Sequence, residues 1–145
     1  MGKVGIQAWQ AWALLSACFA ALTAIFAKVG VTNVDPDFAT FIRTAIILVA
    51  LGALLAATGH FHALDAIPAR SYAFLVLSGL ATGASWLCYF RALQVGDAAR
   101  VAPVDKLSVV LVAVFGVVFL GERLSGLNWA GILMIAAGVI LLAAR

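Results

Sequence analysis

Long apolar runs separated by short polar breaks make up almost the whole chain. A helix rises about 1.5 Å per residue, so it needs about 20 residues to cross a hydrocarbon core of about 30 Å. Runs of this length predict transmembrane helices at about 8–28, 38–58, 71–91, 101–121 and 126–144. The pattern therefore predicts an all-α, polytopic membrane protein with five spans, forming a single domain over residues 1–145.

The breaks between the runs carry residues that begin helices. Asp35 offers an N-cap for the second helix, and Pro36 suits the first helical turn. Ser71 and Ser125 are the expected caps of the third and fifth helices. The turn at 121–124 is so short that the last two helices are expected to form an antiparallel hairpin.

The first apolar run and residues 60–70 each indicate how they lie relative to the membrane. The uncharged stretch between Lys3 and Lys28 exceeds the roughly 7–15 apolar residues of a signal peptide, so it is expected to be a retained first span. Residues 60–70 mix apolar and polar positions. Either a segment lying on the membrane surface or a plain polar loop fits this mixture.

The fourth run is the anomalous one. Its charge-free part, 107–121, is too short to cross a bilayer. The helix must begin near Val101, which draws Pro103, Asp105 and Lys106 into or near the membrane. Pro103 is expected either to start this helix or to kink it one turn in.

Composition excludes several classes of function. The chain of 145 residues is 66% hydrophobic and only 10% charged, against roughly 25% charged in soluble domains, so the lipid bilayer is its expected solvent. The net charge of +3 comes from scattered Lys and Arg, unlike the basic face of a nucleic-acid-binding protein. No phosphate-binding loop, catalytic triad or metal-ligand spacing is present, so neither enzyme activity nor a cofactor nor a metal is expected.

Four charged residues are predicted near one membrane face, with Lys28 close by: Arg43, Arg91, Asp105 and Lys106. Adjacent helix positions do not face each other, so Asp105 is expected to pair with Arg43 or Arg91 rather than with Lys106. In the functional interpretation, this cluster bounds the path of a charged solute. In the alternative interpretation, Arg43 and Lys106 extend to the interface and Asp105 caps the fourth helix.

Aromatic and hydroxyl residues form two further candidate linings of the solute path. Trp86 and Tyr89 share one face of the third helix, with Ser85 close by. They fit either a small-molecule pocket or an aromatic belt at the interface. Ser16 and Thr23 define a mildly polar stripe on the first helix, which faces either a cavity or another helix.

Glycines in three spans are interpreted as helix-packing positions. Close approach of membrane helices favours small residues four apart, as in the pair Gly79 and Gly83. The other glycines expected to allow close approach are Gly116, Gly131 and Gly138.

Cations in the loops are nearly balanced between the two membrane faces. One face has Lys3, Arg70 and Arg123, and the other has Lys28, Arg91, Arg100 and Arg145. Orientation follows the bias of loop cations, and this weak bias favours dual topology, in which the chain inserts both ways and pairs with its inverted copy. A single fixed orientation remains the alternative.

The last two spans carry the segments VAPVDKLS (101–108) and FLGERLS (119–125), together with Trp129-Ala130-Gly131 and Gly138. These segments resemble the end of an EamA domain of the drug/metabolite transporter superfamily. The first span and Arg43-Thr44 resemble its start. Most members carry two such domains in ten spans, whereas this chain is similar to the single-domain, five-span bacterial and archaeal type.

The resemblance implies one half of an inverted-repeat transporter bundle in the inner (plasma) membrane. It implies export of metabolites or drugs by a homodimer, with the fourth helix at the dimer contact. Related four-span multidrug resistance proteins exchange protons at a carboxylate in the first helix. The first span here has no Asp or Glu, so that mechanism is not carried over.

The expected function is secondary or facilitative transport of a small-molecule solute by a homodimer. An antiparallel arrangement with dual topology is one form that this homodimer can take. A channel would need a continuous polar stripe on several helices, and only patches are present. An accessory or structural membrane subunit is the third interpretation, favoured by the small size of the chain.

Overall fold

Six helices make up most of the part of the chain that the structure describes, residues 7–61 and 67–144. The structure is a computed structural model. Its helices are α1 (Ala8–Gly30), α2 (Pro36–Thr58), α3 (Ala69–Val95), α4 (Ala98–Asp105), α5 (Ser108–Leu120) and α6 (Gly126–Ala143). Because α4 and α5 together form one apolar stretch, the described residues contain five stretches able to cross a membrane. The predicted all-α, five-span fold is confirmed.

Two helices begin at the caps expected from the sequence. The Asp35 carboxylate accepts hydrogen bonds from the backbone N–H groups of Asp37 (3.0 Å) and Phe38 (2.9 Å). Ser125 Oγ accepts from the Asn128 N–H at 3.2 Å and starts α6. These side chains bond N–H groups that have no partner inside the helix.

Other predicted bounds need correction. Ser71 does not cap α3, because the helix begins at Ala69 and the Pro68 carbonyl accepts the Tyr72 N–H (3.0 Å). The helix also runs beyond the predicted end at Arg91 to Val95, since residues 92–95 include neither proline nor glycine. The fourth span begins at Ala98, earlier than expected. The prediction for 60–70 falls largely on 62–66, and those residues, like Lys3 and Arg145, lie outside the described residues.

The fourth span is interrupted just after Pro103. Proline has no N–H, so it cannot donate to the carbonyl four residues before it. The regular helix ends at the following turn, where two N–H groups bond only three residues back: Lys106 to the Pro103 carbonyl (2.9 Å) and Leu107 to the Val104 carbonyl (3.0 Å). Pro103 thus lies inside α4 rather than at its start, and the regular helix resumes only at Ser108.

The chain divides into two compact units. In residues 26–95, α2 packs against α3, and the buried side chains include Val31 and Leu93, which are 1% and 0% exposed. In the other unit, formed by the start of α1 and the chain from Gly96 onward, α6 packs against both α4 and α5.

The membrane-spanning stretches bury very few residues within the chain. In the most apolar window of each stretch, at most 11% of the residues are buried. Large apolar side chains such as Leu48 and Phe119 are 72% and 75% exposed. A water-soluble protein rarely exposes apolar patches of this extent, so these faces contact lipid or another protein.

Candidate functional site

An ion pair fixes α2 beside α3 near one end of both helices. Arg91 Nε donates to Asp37 Oδ1 (3.1 Å) and Nη2 donates to Oδ2 (2.6 Å). This two-pronged geometry is the strong form of an arginine–carboxylate contact. Asp37 was not among the predicted site residues. It lies in the first turn of α2 and Arg91 in the last part of α3, so an antiparallel pairing of these helices could have indicated the contact.

Arg43 packs against aromatic rings of α3. Its Cζ lies 4.2 Å from the Trp86 ring centroid and 5.3 Å from that of Phe90. Tyr89 lies within electrostatic range of the same guanidinium. Phe90 was missed by the sequence analysis, although it lies four residues after Trp86 and therefore on the same helix face. The predicted residues Arg43, Trp86 and Tyr89 thus come together, with Phe90 as a further member.

The ring contacts offset only part of the cost of a charge in the membrane. Among the described residues, the Arg43 guanidinium has neither a hydrogen bond nor an ion pair. Insertion scales assign an arginine at a helix centre a cost of about 2.5–3.5 kcal/mol. A desolvated cation–π contact contributes about 2 kcal/mol. Arg43 therefore retains hydrogen-bonding capacity that this part of the chain does not use.

A polar cavity of ≈ 370 Å³ lies where α1 and α3 end. Lys28 Nζ donates to the Leu93 carbonyl (2.7 Å), and Gln94 Nε2 donates to the Val34 carbonyl (3.2 Å). These bonds join the ends of α1 and α3 and the turn that follows α1. The lining residues are Lys28, Val31, Thr32, Asn33, Leu93 and Gln94.

The predicted ion-pair partner of Asp105 is wrong. Lys106 Nζ lies 3.2 Å from Asp105 Oδ2, so the two neighbours form an ion pair. The argument from helix spacing does not apply, because Asp105 ends α4 and Lys106 lies in the turn before α5. Arg91, one of the two expected partners, is paired with Asp37 instead. Asp105 does not cap the fourth span either. That span begins at Ala98, Asp105 is the last residue of α4, and α5 begins without a side-chain cap.

Gly116 has a local role that the packing interpretation did not include. A Cβ at this position would lie 2.5 Å from Glu122 Oε2. The Glu122 side chain therefore folds back over α5, and the backbone N–H of Glu122 donates to the Gly116 carbonyl (3.0 Å). The turn depends on Gly121, whose φ of 69° belongs to the left-handed region that glycine adopts readily.

The other predicted glycines face open space within the described chain. A Cβ at Gly79, Gly83, Gly131 or Gly138 would meet no atom of another part of it within 4 Å. Their assignment to helix packing therefore stays a prediction about contacts with something outside this chain.

The hydroxyl stripe on α1 also remains a prediction. Ser16 is exposed and Thr23 is half-buried. Neither hydroxyl hydrogen-bonds to another described residue, so the stripe is available to a solute or to another helix.

Comparison with known proteins agrees with this architecture. The sequence profile of the EamA-like transporter family matches residues 7–144. The chain belongs to the EamA-like transporter family. It is therefore a multi-pass membrane protein of a transporter family.

Two relatives of this EamA-like chain differ in size. An "uncharacterized transporter in cobO 3′ region" of Sinorhizobium sp is 65% identical over 137 residues, covering 94% of this chain and 97% of the relative. An "uncharacterized transporter YxxF" of Bacillus subtilis (strain 168) is 29% identical over 135 residues, covering 92% of this chain but 42% of the relative. No solved structure matches the chain.

Proposed function

We propose that two copies of the chain assemble into a homodimer that exports small metabolites or drugs across the plasma membrane. The supporting observation is the exposure of the spans: at most 11% of the residues in each apolar window are buried within the chain. Many transporters place their solute site between two inverted repeats. A five-span unit supplies one repeat, and the match to 42% of the Bacillus relative agrees with a half-sized unit.

Apolar exposure alone does not require a protein partner, because lipid tails solvate leucine as well as protein does. The polar features favour one. Half-buried Arg43 lacks an anionic partner among the described residues, and the hydroxyls of Ser16 and Thr23 are unbonded there. Intramembrane polar groups of this kind line a cavity or a helix contact. The glycines that face open space are suited to close helix contacts in the dimer.

The proposed dimer is antiparallel, because the loop cations give little orientation bias. Arg70 and Arg123 lie on one side of the five-span topology and Arg91 and Arg100 on the other. The positive-inside rule then lets the chain insert in both orientations. Each copy would supply an inverted repeat to the other.

C-terminal fusions to reporters that are active on only one face test this orientation. The native chain is expected to give signal from both faces. Two matched charge variants sharpen the test: Arg123→Gln and Arg100→Gln each remove one exposed loop cation, on opposite sides. The ratio of the signals should shift in opposite directions. Signal from one face only, unchanged by both variants, rules out the antiparallel dimer.

Purified protein in liposomes separates transport from the other functions. Saturable flux of a solute without added nucleotide is the expected result for a secondary or facilitative transporter. Ohmic conductance would assign a channel. Neither flux nor conductance, together with copurification of a different membrane protein, would assign an accessory subunit.

A further inference from the structure

The depth of Arg43 in the helix pair follows from the Asp37–Arg91 ion pair. That pair joins α2 to α3 near one end, and the positions of its two residues give the register of the helices there. Arg43 lies six residues further along α2, about 9 Å deeper at 1.5 Å per residue. Trp86 lies five residues back along α3, about 7.5 Å deeper in the same direction. The guanidinium and the indole therefore meet at one level, well inside the ends of the helices.

The position of the side chain differs from that of an arginine that extends to the membrane surface. Its Cζ lies closer to the Trp86 ring, at 4.2 Å, than to the shallower Phe90 ring, at 5.3 Å. The side chain is half-buried against α3. Ring faces accept no conventional hydrogen bond of normal strength, so the planar fork of N–H donors keeps its capacity for an oxyanion.

The two described carboxylates nearest in sequence are already engaged. Asp35 caps α2 and Asp37 binds Arg91. Among the described residues, Arg43 has no hydrogen bond or ion pair. A buried or half-buried charge in a membrane protein is normally paired. An anion from outside the chain would complete this site.

We propose that Arg43 binds the oxyanion of the transported solute and that Trp86 and Phe90 contact an apolar, flat part of the same molecule. The solute class is thus an organic anion, with a carboxylate as its simplest form. A guanidinium binds carboxylate or phosphate with two parallel hydrogen bonds. The assignment rests on the proposed transport function, because it places Arg43 on the solute path.

Binding to the purified protein in phosphatidylcholine nanodiscs tests the proposal without requiring flux. The probes are 3-phenylpropanoate, its neutral isostere 3-phenylpropanamide, and the cation 2-phenylethylammonium. The carboxylate is expected to raise the thermal midpoint in a concentration-dependent way, since a ligand of the folded state stabilises it. The amide and the cation should bind at least about tenfold more weakly, because a charge-assisted hydrogen bond is lost.

Three variants assign the binding to this site. Arg43→Gln should weaken carboxylate binding at least about tenfold, and Arg43→Lys, which keeps the charge but loses the fork, should give an intermediate affinity. Trp86→Leu should weaken binding of the carboxylate while leaving the Arg43 charge in place. This variant tests the site if Arg43→Gln fails to fold. Arg70→Gln is the matched control: its guanidinium also lies over a ring, Phe74 at 6.0 Å, but is exposed. That variant should bind like the native chain.

Any of four binding results with these probes and variants overturns the proposal. They are equal binding of the three probes, native affinity in Arg43→Gln, native affinity in Trp86→Leu, and an equal loss in Arg70→Gln. A second source of the oxyanion is a lipid phosphate. In that case, phosphatidylglycerol nanodiscs would stabilise the native chain but not Arg43→Gln, and the soluble carboxylate would have no effect. Arg43 would then bind lipid, and the proposed solute class would be wrong. Carboxylate binding without saturable flux would instead reject the transport function alone. Saturable flux of another solute, unaffected by Arg43→Gln, would reject this inference alone.

Discussion

The contact between Arg43 and Trp86 predicts a measurable coupling energy between α2 and α3. Cation–π attraction ranges from about 0.5–1 kcal/mol at exposed sites to about 2 kcal/mol when the pair is desolvated. At 4.2 Å, with the arginine half-buried, this pair belongs in the upper part of that range. The attraction between Arg43 and Phe90, at 5.3 Å, is present with or without Trp86 and therefore cancels in a cycle between Arg43 and Trp86. We expect a coupling of about 1–2 kcal/mol.

The measurement is a double-mutant cycle with Arg43→Gln, Trp86→Leu and the double variant. Free energies of unfolding are obtained by titrating the protein in mixed micelles with a denaturing detergent. Circular dichroism is the readout, because fluorescence would change with the loss of a tryptophan. The cycle isolates the pairwise energy from the separate cost of each substitution.

A second cycle supplies the control. Arg70→Gln and Phe74→Leu break a similar contact that is longer, at 6.0 Å, and exposed. Its coupling should stay below about 0.5 kcal/mol. If the Arg43–Trp86 cycle is additive within the usual error of about 0.3–0.5 kcal/mol, the contact contributes nothing measurable and the reasoning about the site is wrong.

Backbone geometry gives three further predictions, each checked on purified protein. Gly121→Ala should lower the free energy of unfolding by about 1–2 kcal/mol, because φ is 69° at this position. Gly131→Ala, in regular helix, should instead stabilise the monomer by about 0.5–1 kcal/mol. Equal effects of the two variants in the denaturing-detergent titration would contradict this. Gly116→Ala should change stability by less than about 1 kcal/mol, because only the flexible end of Glu122 must move; a larger loss would show that the carboxylate is held in place. Pro103→Ala restores an N–H donor one turn into α4, so hydrogen exchange of the amides at 104–107 should slow. Unchanged exchange at these positions would show that the proline does not cause the interruption.

The spans were predictable because hydropathy and helix rise depend on local sequence alone. The Asp35 and Ser125 caps follow from side chains that reach backbone N–H groups within the next three residues. The start of α3 was predicted too late. The Pro68 carbonyl already accepts the Tyr72 N–H, so the chain becomes helical before Ser71.

The partners of the charged residues were predictable only in part. Helix spacing placed Trp86 and Tyr89 on one face, and that face does meet Arg43. Which acid pairs with Arg91 depends on the rotation and register of α2 against α3, and the sequence does not specify these. The Asp105–Lys106 pair depends on a local departure from the helix, which spacing rules for a regular helix cannot anticipate.

The interruption of the fourth span has a consequence for hydration. The Ala99 carbonyl cannot receive a bond from position 103, since proline there carries no N–H. In hydrocarbon, a backbone dipole without a partner is costly, and irregular backbone at membrane depth persists only where protein surrounds it or water reaches it. The Ala99 carbonyl, in the first turn of α4, is thus the place in this span where a water molecule would supply the missing hydrogen bond.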